Sequence, residues 1–200
     1  MQQLINLIEE LKNSDIKNTI NQRIKEFESI PRNFNTLFRE LAFCILTAGT
    51  SAELGIKTID HLGNILYNGT LDEIQKKLKE VYRFHTIRAG YLYEARKNFK
   101  KINVNSEDVR NQLIKNIKGI GMKEASHFLR NIGLRDYAII DFHIVDILVK
   151  NNFIERPKTI TLKKYLEIEA VLRELANRLK MSLGELDLYL WYAETGKVLK

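Results

Sequence analysis

Apolar residues at Phe34, Leu37, Phe38, Leu41, Ala42, Ile45 and Leu46 recur three and four positions apart, the spacing that gathers side chains onto one face of an α-helix. That segment is expected to be a core helix. The same periodicity runs through residues 3–12, 16–28, 86–99, 106–116, 122–131, 142–150 and 161–179, and no stretch of comparable length alternates with period two. Thr50 followed by Glu53, Thr70 by Glu73 and Ser182 by Glu185 have the capping-box form, in which hydroxyl and carboxylate satisfy the free amides at a helix start. Ten glycines and two prolines in 200 residues are too few for a sandwich or barrel punctuated by turns every ~8–12 residues. An all-α fold follows. Pro31 and Pro157 sit between helical segments, where a proline costs no helical hydrogen bond.

The lone cysteine, Cys44, cannot close an intramolecular disulfide, and it excludes a structural zinc or a four-cysteine iron–sulfur cluster. The chain therefore reads as intracellular, in cytoplasm or nucleoid. No run approaches the ~18 uncharged apolar residues of a membrane span, and the opening Met1, Gln2, Gln3 lacks the basic start and apolar run of a signal peptide. No membrane association is expected. Thirty-two basic against 25 acidic side chains leave a net charge of +7, which suits a polyanionic partner. Lys76, Lys77 and Lys79, or Lys97, Lys100 and Lys101, read as solvated helix faces.

Between the helix ending near Asn116 and the one starting near Met122 lie Ile117, Lys118, Gly119, Ile120 and Gly121, followed by Lys123. A Gly-x-Gly is by itself a tight interhelical turn. Here the flanking isoleucines can plug that turn into the core while the glycines let its backbone approach another surface. The amides opening the next helix then point outward with partial positive charge, which suits a DNA phosphate. This is a helix-hairpin-helix arrangement. Eighteen residues beyond Lys123, Asp141 interrupts an apolar run and precedes Phe142, His143 and Ile144. Asp141 suits a helix N-cap, which is compatible with a catalytic role.

Taken together, residues 118–144, with the hairpin, the lysine two residues after the second glycine and the aspartate followed by x-His-Ile, resemble the helix-hairpin-helix DNA glycosylase superfamily, which includes endonuclease III. Residues 45–51 are similar to that superfamily's DNA-entering loop, with Gly49 where a glutamine is often found. The resemblance is nearest to the short archaeal-type 8-oxoguanine DNA glycosylases. It extends over nearly the whole chain, through Arg83 and Phe84, residues 119–133 and the stretch from Glu185 to Tyr192. The missing cysteines separate the chain from the iron–sulfur members, and its length leaves no room for the extra β domain of the larger 8-oxoguanine enzymes.

The resemblance implies two helical domains with the active-site cleft between them: a helical barrel with the hairpin over 33–135, and a second domain from 1–32 with 136–200. It implies a bifunctional glycosylase/AP lyase that excises 8-oxoguanine from double-stranded DNA, acting as a monomer. Lys123 would form a Schiff base with the sugar, and β-elimination would then nick the strand. A free lysine amine of pKa about 10.4 is neutral only about once in 2,500 molecules at pH 7, so the nucleophile needs a route to lose its proton. Asp141 would stabilise positive charge building on the deoxyribose as the base leaves. Lys118, Gly119, Ile120 and Gly121 would hold the DNA backbone. Phe84, Trp191 and the carboxylate of Lys200 would form the pocket for the flipped base. Asp187, one turn before Trp191, would either add a polar contact there or face solvent, while His143 reads as structural. No cofactor or side-chain metal site is implied, although the carbonyls of Lys115, Ile117 and Ile120 would be placed to hold a monovalent cation. The alternatives are a glycosylase of the same superfamily for another damaged base, and a non-catalytic helix-hairpin-helix module that binds DNA.

Overall fold

The structure, a computed structural model, describes residues 2–199, and among these the secondary structure is entirely helical. The chain opens with α1 (Gln2–Lys12) and α2 (Ile16–Glu28), followed by α3 (Phe34–Thr47), α4 (Ala52–Leu62) and a short α5 (Ile65–Asn68). Next come α6 (Leu71–Lys79) and α7 (His85–Asn98), which runs into a 3-10 turn at Phe99–Lys101. The remainder is α8 (Val109–Asn116), α9 (Met122–Asn131), α10 (Phe142–Lys150), α11 (Leu162–Arg178) and α12 (Leu183–Thr195). The all-α expectation holds. Only α5 has no counterpart in the sequence reading, because four residues with one buried side chain, Leu66, are too few to display a period.

Two compact units divide the chain. One is continuous, Pro31–Phe128, and the other joins the residues up to Ile30 with those from Leu129 onward. The border near residue 128 falls inside α9. In the continuous unit, α3 is buried at every residue from Glu40 to Thr47, since α4 and α7 both pack against it. Its periodic apolar face accounts for part of this burial, and Phe43 and Cys44 extend it to the other faces. In the terminal unit α1, α2, α10 and α11 all pack against α12, whose Leu186, Leu188, Tyr189 and Leu190 are buried. Each such side chain removed from water stabilises the fold by roughly 1.5–3 kcal/mol before entropy is counted.

The helix starts show where local chemistry decides. Thr70 and Glu73 form a complete capping box, with the Glu73 amide donating to the Thr70 hydroxyl at 3.3 Å and the Thr70 amide donating to the Glu73 carboxylate at 2.7 Å. Ser182 accepts from the Glu185 amide as expected. The box expected from Thr50 and Glu53 does not cap α4. Gly49, at φ +81°, lies in the loop that follows α3, and the Thr50 hydroxyl donates back to the Leu46 carbonyl of that helix at 2.8 Å. Ser51 caps α4 instead, one residue later, accepting from the Leu54 amide.

Candidate active site

In the continuous unit the chain leaves α8 through Ile117, turns at Gly119 and enters α9 at Met122. Ile117 and Ile120 are 2% and 5% exposed, so both anchor the turn in the core as their positions suggest. The Ile117 carbonyl accepts from the Ile120 amide at 3.3 Å and closes the hairpin. Gly119 has φ +83°, and a Cβ there would overlap the ring of Tyr91 on α7, so both backbone and packing require glycine. Gly121 is different. A Cβ at Gly121 would meet only the end of the Glu124 side chain, at 3.2 Å.

Lys118 points outward and is held by Glu94 of α7 at 3.0 Å. Lys123 lies in the first turn of α9, 28% exposed, with a Glu124 carboxylate oxygen 3.9 Å from its Nζ. The other Glu124 oxygen accepts from the Gly121 amide at 3.2 Å. One carboxylate thus caps the hairpin amide and faces the candidate nucleophile. The sequence reading passed over Glu124, although a glutamate three residues after a glycine at a helix start was a usable sign. Also in this unit, Phe84 precedes α7 and is 38% exposed, with the Arg83 guanidinium 5.0 Å from its ring centre. Arg88 donates to the Ala48 carbonyl at 2.7 Å, bracing the loop between α3 and α4.

The terminal unit carries the other candidates. Asp141 is the N-cap of α10, its Oδ1 accepting from the Ile144 amide at 3.1 Å. Carboxylate and helix dipole are therefore matched there. Phe142 is 66% exposed and its ring lies 3.9 Å from that of His143, which in turn meets the Trp191 ring edge-on at 5.5 Å. The Trp191 indole N–H is buried and has no hydrogen-bond partner among the described residues. Such a donor is costly to leave unmade. Asp187 is engaged by Arg130, whose Nη1 lies 3.0 Å from its Oδ2, with side chains 15% and 2% exposed. It therefore does not simply face solvent. Lys200, expected to contribute its carboxylate, lies outside the described residues. Among those residues no cluster of histidine, cysteine or acidic side chains is arranged to hold a metal ion, and no helix is long and apolar enough to cross a membrane.

A hairpin between two helices, with a lysine in the first turn of the second and an aspartate capping a later helix, is the arrangement implied by the resemblance to the helix-hairpin-helix DNA glycosylase superfamily. The comparisons with known proteins narrow this. Residues 20–181 match the family model described as 8-oxoguanine DNA glycosylase. The 8-oxoguanine DNA glycosylase/AP lyase of Methanocaldococcus jannaschii is 50% identical over 98% of this chain and 99% of that protein, and the one from Korarchaeum cryptofilum is 45% identical over 98% of each. The crystal structure of the Methanocaldococcus jannaschii enzyme in complex with 15mer DNA containing 8-oxoguanine superposes with a TM-score of 0.94 at 48% identity, covering 99% of this chain and 100% of that one. The Thermotoga maritima 8-oxoguanine DNA glycosylase gives 0.93 at 39% identity, covering 100% and 99%. The chain belongs to the 8-oxoguanine DNA glycosylase family.

Proposed function

We propose that Lys123 and Asp141 carry the chemistry of this protein, a DNA-repair glycosylase/AP lyase that removes 8-oxoguanine. The lesion base leaves its sugar as the Lys123 amine bonds to C1′, with Asp141 stabilising the positive charge that develops on the deoxyribose. The sugar ring then opens to a Schiff base on Lys123. Loss of a C2′ proton expels the 3′ phosphate by β-elimination and nicks the strand. The observation that carries this reading is the position of Lys123 in the first turn of the helix that follows a hairpin anchored by buried Ile117 and Ile120. Lys118, Gly119, Ile120 and Gly121 hold the DNA backbone without regard to sequence. The Ile117 carbonyl accepts a single hydrogen bond and so keeps a lone pair, which fits its sharing a monovalent cation with the carbonyls of Lys115 and Ile120. Such a cation would add positive charge beside the bound phosphate.

Phe84 in the continuous unit and Trp191 in the terminal unit are each an aromatic candidate for stacking on the extruded base, and the unpartnered indole N–H of Trp191 supports a ligand acceptor beside its own ring. Asp187 acts through its pair with Arg130, which fixes the turn of α12 that carries Trp191. The two compact units are the two domains of a monomer working on intracellular DNA. Duplexes carrying 8-oxoguanine, thymine glycol, uracil or 3-methyladenine, incubated with borohydride, test the function. A covalent adduct and a nick are expected on the 8-oxoguanine duplex. Preferred cleavage of another lesion would reassign the base, and binding without any adduct would reduce the chain to a DNA-binding module.

A further inference from the structure

The continuous unit holds a cavity of about 410 Å³ that the proposed reaction does not use. Pockets that accept small ligands fall in the range of roughly 300–1,000 Å³. Its floor is Phe34, the first residue of α3, stacked on buried Phe38 with ring centres 5.5 Å apart and planes 7° from parallel. Tyr67 of α5 and Tyr93 of α7 form aromatic walls, Tyr93 being 43% exposed.

Cations frame these rings. The Arg96 guanidinium lies 5.2 Å from the centre of the Tyr93 ring while its Nη2 donates to the Gly69 carbonyl at 2.8 Å, so it is fixed in place. The Lys100 ammonium stands 5.4 Å from the centre of Phe34, and Lys97 completes the rim. Neither lysine is held by a carboxylate among the described residues. The one acidic residue of the lining, Glu94, is drawn to Lys118 of the hairpin at 3.0 Å. The cavity therefore presents flat apolar surface beside uncompensated positive charge, and its rim adjoins the hairpin.

A nucleotide has the two matching halves, a flat base and an anionic phosphate. Bases stack on aromatic side chains without regard to sequence, and lysine ammonium groups pair with phosphate. A base inside a duplex has no free face to offer, so the occupant is unpaired. We infer that this cavity is a second nucleic-acid site, which takes one unpaired nucleotide from a single-stranded stretch of the DNA strand that the hairpin holds. The inference rests on the DNA-repair reading above. The contact of Glu94 with Lys118 puts such a strand within reach of the cavity rim.

The test compares a blunt lesion duplex with the same duplex carrying an eight-nucleotide single-stranded overhang at either end. Wild-type protein should bind one of the overhang duplexes at least about fivefold more tightly, the worth of a single base–aromatic stack. Tyr93→Ala and the double variant Lys97→Gln with Lys100→Gln should each bring the ratio of overhang to blunt-duplex affinity down to one, while single-turnover excision of saturating blunt duplex stays as in wild type. An absent overhang gain in the wild type, or a gain that survives in both folded variants, overturns the assignment. Binding of free dGMP as tight as the overhang gain, and lost in the same variants, would make the cavity a mononucleotide site and also overturn it. Failure of the glycosylase reading is distinct, because it shows as absent cleavage of the blunt duplex.

Discussion

Lys123 has the Glu124 carboxylate 3.9 Å from its amine, and Asp141 spends one of its oxygens on the Ile144 amide. These contacts shape what substitutions report. Lys123→Gln should abolish borohydride trapping and strand nicking while duplex binding stays within about tenfold, because the proposed mechanism gives the covalent step to one amine whereas many groups share binding. Asp141→Asn should lower excision by orders of magnitude in single-turnover assays and leave Tm nearly unchanged, since an asparagine oxygen caps α10 about as well as an aspartate. An unaltered excision rate would leave Asp141 as a cap alone. Glu124→Gln keeps an acceptor for the Gly121 amide but removes a negative charge from the hairpin face. Duplex affinity should rise a few fold at low ionic strength, and the gain should fade as salt screens the charge.

At the scale of the element, the two hairpin glycines separate. Gly119 combines a left-handed backbone with a Tyr91 ring where a Cβ would go, whereas Gly121 has only a movable glutamate tip nearby. Gly119→Val should cost about 1–2 kcal/mol from backbone conformation alone, more with the overlap, and should weaken binding to damaged and undamaged duplex alike. Gly121→Ala should leave Tm near the parent value, as thermal unfolding would check. Helix α12 offers a second case. Burial pushes the Glu185 carboxyl above its ordinary value against the pull of Arg135 and the Ser182 amide. A carboxyl raised in the folded state contributes stability that is present below its unfolded value and lost as pH rises through the folded one. Glu185→Gln should therefore raise Tm at neutral pH, with the gain vanishing below about pH 4.5. A Tm difference that ignores pH would assign the effect to packing.

Across the whole molecule, the terminal unit is built from the two ends of the chain, so its folding must join helices separated by the continuous unit. Arg130 joins helices from both ends. From α9 it pairs with Asp187 of α12 and lies 4.9 Å from the Phe27 ring of α2, and a Cβ on Gly184 would come within 2.9 Å of its side chain. Removing the carboxylate weakens the charge-assisted contact of Arg130, itself 2% exposed, so Asp187→Asn should destabilise by about 1.5–3 kcal/mol. Replacing both, as Arg130→Met with Asp187→Leu, should recover much of that loss in urea unfolding. Equal losses in the single and double variants would show that the lost pairing, and not a stranded charge, accounts for the destabilisation.

The sequence by itself determined the helices, the anchored hairpin and the positions of Lys123 in the first turn of α9 and of Asp141 at the N-cap of α10. All of these rest on interactions between residues three or four apart, or on turn and cap chemistry confined to one segment. Leu37 and Leu41 had to share a face wherever α3 was placed, and Ile117 and Ile120 had to flank the turn. Tertiary structure decided what lies behind each local choice: the Tyr91 ring that makes Gly119 obligatory, the Glu94 carboxylate that holds Lys118, and the arginine that takes Asp187 from 57 positions away. It also moved the α4 cap from Thr50 to Ser51, because both hydroxyls suit a cap and only the left-handed turn at Gly49 distinguishes them. No periodicity encodes such partners, since a charge or ring is matched by whatever the folded chain brings beside it.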